Sequence, residues 1–469
     1  MRDLTHPEVA AMHVAVLIPG IMGTRLILPA AHNGGNALEV WPPTPLEAAT
    51  AYTKIAELQS EHLVTGPLID QILCFGFYNH IQRQFDDLGY AVGTGDPRRV
   101  EFAYDWRRDN FDTAAKLAEL LKTQHDAGAT KFSLICHSMG GLIARLLLES
   151  GTYDAEPWFG KIKLLATLGT PHLGAPLALA RIFGLDNANG ISGTDFKALA
   201  ANRDYPSGYQ LIPAPGEAAI WVANSQDLVP LDPYHATTAT QLGMDPVLIA
   251  RAKAQYDALT GIAPPGVRYF YFAGTGQPTV TRVNVTFRQG QIYNHGESKV
   301  TTTVDGGDGT VPIYSALPGR GQRQIVTNEH ATVFKGTPFR KVFFRLMGGN
   351  AGAALEAADQ DTPHLAGTLD RTVYVAGDRP ALRLMVETRA SDDGTGLVNR
   401  IDGALIVERS DDTGNITEKV EELPVKYDGA DISALNLTLP IQTETGLFRL
   451  RFEGTPEMPE PLAFAVSEG

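Results

Sequence analysis

The chain has 469 residues, with 39 Lys and Arg against 53 Asp and Glu, and so carries a formal net charge of −14. That acidic balance argues against a nucleic-acid surface and against general attraction to anionic lipid, so any membrane contact is expected to be local and apolar. The length predicts two or more domains, and no apolar run is long enough to span a bilayer.

The first residues, MRDLTHPEVAAMH, are polar and lack the apolar core of a secretion signal. Only two cysteines occur, Cys74 and Cys136, so no disulfide framework is expected. Together these features predict a cytoplasmic protein. From Val14 to about Gly349 strand patterns alternate with helical ones, which predicts a mostly parallel sheet with helices on both faces, an α/β class. Strands are predicted at Val14–Pro19, Val100–Tyr104, Phe132–Cys136, Ile162–Leu168, Arg268–Ala273 and Gln324–Thr327. Helices are predicted at Tyr78–Leu88, Asp112–His125, Gly141–Ser150 and Val333–Leu346, with Asn110 or Asp112 capping the second. Two long insertions, about 29–77 and 175–263, break the alternation and are expected to form a cap. The catalytic unit is therefore drawn as residues 1–350, and the small, polar stretch 351–367 as a linker. Beyond it, short alternating runs such as ALRLMVETRA, GALIVERS and GLFRLRFEG predict a small all-β sandwich over 368–469, immunoglobulin-like but without a paired cysteine.

The most specific local signal is KFSLICHSMGG, Lys131 to Gly141, followed by LIARLLLES. An apolar strand, a tight turn and a helix in immediate succession describe a nucleophile elbow, with Ser138 at its tip. Small residues are needed on either side because strand and helix crowd there. Gly140 meets that need, and Cys136 stands where the commonest pattern has glycine. A serine alcohol is a weak nucleophile at neutral pH, so a base and a group to orient it are required. In a chain of this kind the order is Ser, acid, His. Asp308 in GDGTVP and His330 in NEH, after a late strand, fill that order. Asp305 is the alternative acid, and Asp227 in NSQDLVP is a decoy inside the cap. His137 is expected to pack beside the elbow rather than react. The oxyanion hole is expected from the Met139 N–H together with that of Ile21, in the loop PGIMGT after the first strand. That loop lacks the Lys-Ser/Thr ending of a phosphate loop. No His or Cys cluster has metal-ligand spacing and no dinucleotide fingerprint occurs, so neither metal nor cofactor is expected.

PGIMGT, YDWR at Tyr104–Arg107, HSMGG, GTPHLGAP at Gly169–Pro176, GDGTVP and the late NEH fall in one order along the chain. In that set the sequence resembles the lecithin:cholesterol acyltransferase and lysosomal phospholipase A family of α/β-hydrolases. The resemblance implies an α/β-hydrolase fold with cap insertions, Ser138, Asp308 and His330 as a triad, and Asp105 and Arg107 as buttresses. It further implies cleavage of lipid carboxylic esters through an acyl-enzyme. The same residues would serve O-acyl transfer or thioester and small-ester cleavage, and a dead hydrolase fold would serve binding alone. The chain departs from the secreted members in lacking cysteines for a disulfide-tied flap, and from the animal enzymes in its C-terminal β-domain. The expected partners are a lipid or other ester substrate, a membrane touched locally by the cap, and an unidentified ligand of the β-sandwich. Apolar cap residues, Phe75 and Phe183 among them, are expected to line an acyl channel.

Overall fold

A strand buried on both faces must be apolar along its buried length, and in HVAVLI every residue after the first is apolar and buried. In β1 (His13–Ile18) the side chains of Val14, Val16 and Ile18 enter one core while Ala15 and Leu17 enter the other. The computed structural model describes residues 12–69, 71–72, 75–76, 78–225, 230–293, 297–319, 321–349, 363–371, 373–387, 396–411, 416–441, 443–459 and 461–467.

Around β1 lie β2 (Ala91–Val92), β3 (Arg98–Glu101), β4 (Lys131–His137), β5 (Ile162–Leu168), β6 (Arg268–Gly274) and β7 (Gln322–Val326). They form one parallel sheet in the order β7-β6-β5-β4-β1-β3-β2. Helices α1 (Asn79–Asp87), α2 (Asn110–Asp126), α3 (Met139–Glu149) and α4 (Gly336–Met347) cover it. On one face α1 and α4 bring Ile81, Phe85, Phe339 and Phe343 against Leu17 and Phe272. On the other, α2 and α3 bring Leu117, Leu121, Leu142 and Leu146 against Val16 and Leu134. After β1 the chain builds β2 and β3 on one side, then crosses to place β4 on the other side of β1. Loops leaving the carboxyl ends of β1 and β4 therefore meet at a switch in strand order, where ligands of such sheets bind.

Several boundaries differ from the sequence expectation. The α2 cap is Asp109, whose carboxylate accepts from the Phe111 N–H at 2.9 Å, and not Asn110 or Asp112. Asn110 is instead fully buried and donates through its amide to Gln255. Strand β3 stops at Glu101, because Tyr104 to Arg107 leave the sheet to hold neighbouring loops. Helix α3 begins at Met139, directly after the serine, and α4 begins only at Gly336 after a 3-10 turn at His330–Thr332. β2 is two exposed residues, too short to carry a period. Between β6 and Asp308 lies an antiparallel pair, Gln277–Arg288 with Lys299–Gly307, whose Thr-rich strands lack a clean apolar alternation.

The first insertion adds Leu38–Trp41 and Val64–Leu68 to either side of the preceding strand Thr24–Leu28, making a three-stranded antiparallel sheet. The second is largely helical, with Pro176–Ile182, Gly193–Ala200, Ala236–Gln241 and Pro246–Ala258 around a core of its own that includes Leu179, Phe183 and Leu248. Among the described residues no helix is long and apolar enough to cross a membrane.

Past residue 363 every helix or strand element among the described residues is a strand. A three-stranded sheet (His364–Leu369, Ala381–Glu387, Ala434–Thr438) faces a five-stranded one built on Val398–Ser410, Ile416–Ile432 and Gly446–Thr455 with Val373–Val375 and Leu462–Ser467. Leu365, Leu384, Leu405, Phe448 and Leu450 close the core between them, so the region is a sandwich. Its first strand starts at His364, inside the stretch expected to be linker; pairing with Ala381–Glu387 defines it, where the local residues (His-Leu-Ala-Gly-Thr-Leu) do not.

Every residue of the sandwich core lies beyond residue 363. A chain ending at Gly349 is therefore expected to fold and to match the whole chain in any hydrolysis of a short soluble ester. Thermal unfolding of the shortened protein checks the first point and hydrolysis of a p-nitrophenyl ester the second. Loss of that activity in a folded truncation would show the sandwich to be part of the catalytic unit.

Candidate active site

Ser138 stands between β4 and α3 with φ 52° and ψ −127°, a conformation that costs a non-glycine residue roughly 1–3 kcal/mol. Its surroundings hold it there. The Ser138 N–H donates to the Leu168 carbonyl at 2.9 Å, and its carbonyl accepts from Thr170 Oγ1 at 2.8 Å and from the Gly141 N–H at 3.0 Å. The crowding predicted for an elbow is concrete. A Cβ on Gly140 would stand 2.5 Å from the Pro19 carbonyl oxygen, and one on Gly141 2.1 Å from Thr170 Oγ1. Cys136 is fully buried, and burial pushes its thiol pKa up, so it is a packing residue.

The other predicted residues converge on this serine. His330 Nε2 lies 2.8 Å from Ser138 Oγ, and His330 Nδ1 lies 2.8 Å from Asp308 Oδ2. The second oxygen of Asp308 accepts the N–H groups of Thr310 and Val311 at 3.0 and 2.7 Å. The GDGTVP turn thus fixes the carboxylate from behind. The His330 N–H in turn donates to the Asp308 carbonyl at 2.8 Å. Gly169 permits this pair: a Cβ there would be 2.9 Å from Asp308 Oδ2 and 3.2 Å from His330 Nδ1. Asp305 is exposed on the preceding strand, away from this chain of bonds, and Asp227 lies outside the described residues.

The loop after β1 reaches Ser138 through Gly20, whose added Cβ would be 2.6 Å from Ser138 Cβ. Most polar backbone groups of this loop are engaged. Tyr104 Oη donates to the Pro19 carbonyl (2.8 Å), and the Gly20 N–H donates to Tyr78 Oη (2.8 Å). Trp41 Nε1 donates to the Met22 carbonyl (2.8 Å) and Trp106 Nε1 to that of Thr24 (3.1 Å). The Ile69 N–H donates to the Gly23 carbonyl (3.1 Å). Among the described residues the N–H groups of Ile21 and Met139 have no protein acceptor. Met139 is the first residue of α3, where an N–H has no intrahelical partner and the helix dipole favours negative charge. Two free donors on the segments flanking a serine hydroxyl are the groups that can receive a negatively charged oxygen there.

Tyr78, Trp41, Tyr104 and Trp106 were not singled out by sequence reasoning. The signal available was YDWR itself, whose aromatic residues hold the loop while its charged ones hold the cap. Asp105 and Arg107 form a buried bidentate pair at 2.9 and 2.7 Å. Arg107 also donates to the carbonyls of Leu58 and Ser60 in the first insertion, and stacks 4.2 Å from the Tyr205 ring of the second.

A cleft of about 1750 Å³ opens above Ser138 and His330. Ile21, Trp106, Leu177, Ile182 and Leu211 supply apolar wall from the loop and the cap, while Leu369, Met385 and Leu437 extend it along the sandwich. Phe183 does not face this space; it is 2 % exposed and packs in the cap core. The side chain of Phe75 and the whole of Cys74 lie outside the described residues.

Residues 75–242 match the family model for lecithin:cholesterol acyltransferase. The central parallel sheet with its flanking helices is an α/β-hydrolase fold, and the stretch within it from 75 to 242 is similar to the lecithin:cholesterol acyltransferase family. The matched stretch holds Ser138 and the GTPHLGAP segment and ends before Asp308 and His330. In structure the chain is similar to the Tle4–Tli4 complex at 15% identity and a TM-score of 0.51, over 75% of this chain and 100% of that one. It is also similar to Bacillus licheniformis lipase BlEst2 in its mature form (14% identity, TM-score 0.36, 74% of this chain and 96% of that one). Phospholipase PlaB from Legionella pneumophila aligns over 98% of this chain and 90% of its own, at 11% identity and a TM-score of 0.29. The first of these is a likeness of fold alone. No curated protein matches the sequence.

Two buried histidines beside the site are held neutral. Burial, with a contribution from His330, lowers the pKa of His137 from 6.5 to about 3. Burial and the adjacent Arg145 hold His172 well below 6.5. A depressed histidine leaves stability intact above the unfolded pKa of 6.5 and removes it as pH falls, because only the unfolded chain takes up the proton. The urea midpoint is therefore expected to fall steadily from pH 6.5 towards pH 4. Substituting His172 by Gln should flatten that decline; an unchanged slope would show that other groups cause it.

Proposed function

We propose that the protein is a serine hydrolase that cleaves carboxylic esters of lipids, of the phospholipase A or acylglycerol lipase kind, through an acyl-enzyme. The observation that carries this reading is the unbroken line from Asp308 through His330 to Ser138 at the floor of a largely apolar cleft. An acyl chain entering such a cleft gains by removing apolar surface from water.

In this reading Ser138 Oγ attacks the ester carbonyl carbon as His330 Nε2 takes its proton. Asp308 keeps the imidazole in the Nδ1–H tautomer and stabilises the imidazolium that forms. The carbonyl oxygen, now an anion, is held by the N–H groups of Ile21 and Met139. Collapse of the tetrahedral intermediate breaks the C–O bond, and the alcohol leaves with the proton from His330. Water, deprotonated by the same histidine, then attacks the acyl-enzyme and releases the acid. Acyl transfer to a bound alcohol would use these residues unchanged; hydrolysis is favoured because water is always present.

Ser138→Ala should reduce ester hydrolysis on the order of 10⁶-fold, as should His330→Ala, and Asp308→Asn about 10⁴-fold, since members of such a unit fail together. A fluorophosphonate probe should label the wild type at Ser138 and leave Ser138→Ala unlabelled. Labelling elsewhere, or a crippling effect of Asp305→Asn in place of Asp308→Asn, would refute the assignment. Long-chain esters should be preferred to acetate, with Ile182→Ala altering that preference. Equal rates on acetate and palmitoyl esters, with no gain at a lipid–water interface, would leave a small-ester esterase.

A further inference from the structure

Resting on the serine-hydrolase reading, we propose that Tyr78 and His137 form a hydrogen-bonded strut that sets the distance between the oxyanion loop and the loop carrying the base. Both are positioning residues, since neither reaches the ester.

The strut is a line of three hydrogen bonds. The Gly20 N–H donates to Tyr78 Oη at 2.8 Å, Tyr78 Oη meets His137 Nδ1 at 2.9 Å, and His137 Nε2 meets the His330 carbonyl at 2.9 Å. Chemistry fixes the direction of each. A carbonyl oxygen only accepts, so the proton of His137 is on Nε2. Burial keeps the ring neutral, which leaves Nδ1 as an acceptor and makes Tyr78 the donor to it. The bonds then all point one way, from the loop after β1, through α1's N-terminal tyrosine and the elbow residue, to the backbone of the base.

The line has little room to bend. Tyr78 is fully buried and His137 is 2 % exposed. Phe334, also fully buried, stacks along Tyr78 at 6.2 Å and meets His137 edge-on at 5.7 Å between ring centroids. Its carbonyl is tied to Gln84 at 2.8 Å. Gly20 and Ile21 are adjacent, so the Tyr78 hydroxyl governs where the Ile21 N–H points. His330 is held at its carbonyl by His137 and at its N–H by Asp308. One strut thus sets the oxyanion donors and the base relative to each other across Ser138.

The test is Tyr78→Phe, which removes one oxygen and keeps the ring, with His137→Gln, which keeps a donor of similar reach, and the double variant. On a soluble ester Tyr78→Phe should lower kcat about 10²-fold with KM little changed, the size of effect that a misplacement near 1 Å produces. Fluorophosphonate labelling of Ser138 should slow in parallel. His137→Gln should retain more activity than His137→Ala, and the double variant should lose little beyond Tyr78→Phe, because both act through one line. Wild-type kcat in Tyr78→Phe, losses that multiply in the double variant, or a loss appearing in KM alone would overturn the strut. Should His137→Ala fail to fold, the Tyr78→Phe and His137→Gln comparison still decides. A Ser138→Ala protein that continues to hydrolyse the ester would instead refute the serine-hydrolase reading, so the two failures are distinguishable.

Discussion

The approach of the loop after β1 to the turn after β4 is the constraint on which the site depends. β1 and β4 are hydrogen-bonded neighbours, with Ile18 opposite Cys136, so both chains leave the sheet at the same level. Gly20 and Gly140 then let two backbones come closer than any side chain would allow. A Cβ on either would fall within 2.6 Å of an atom across the gap. That approach brings the loop backbone at Gly20 against the Ser138 side chain, and Ser138 takes a strained conformation with positive φ at the same point.

Strain of this kind persists only where the surroundings over-determine it. Here they do so with buried polar bonds rather than with packing alone. Thr170 and Leu168 hold the elbow, Tyr104, Tyr78, Trp41 and Trp106 hold the facing loop, and the GDGTVP turn holds Asp308. Each aromatic residue combines a large buried surface with one polar tip that reaches the backbone. The loop is thereby rigid before a substrate arrives, which is the condition for oriented dipoles to stabilise charge without rearrangement.

The cap is tied to the same region through a second set of buried groups. Arg107 joins the two insertions, by hydrogen bonds to one and by stacking on the other, while Asp109 and Asn110 meet Gln210 and Gln255 of the second insertion. A substitution in YDWRRDN would therefore disturb the roof of the cleft and its floor together. The charged pair does so from a distance, since it touches neither Ser138 nor His330.

Local order was legible in the sequence wherever one element carried its own signal. HVAVLI, KFSLICH and IKLLATL are apolar at nearly every position, which marks central parallel strands, and HSMGG with its flanks marks the elbow without reference to any other segment. Ser138, Asp308 and His330, which the fold joins by hydrogen bonds, could be named because turn chemistry and chain order limit which such residues can meet. Tertiary structure alone decided what depends on distant pairing. Tyr78 reads as an ordinary helix-start aromatic until the fold sets its hydroxyl between Gly20 and His137, 58 and 59 residues away along the chain. The strand at His364 has no apolar alternation of its own and exists because Ala381–Glu387 pairs with it. Phe183, apolar and placed in the cap, could equally have faced substrate or core, and only the packing of Leu179 and Leu248 against it settles that it faces the core. Composition and period specify which residues must be buried; which neighbour buries them, and which polar tip meets which backbone group, is fixed only when the whole chain has closed.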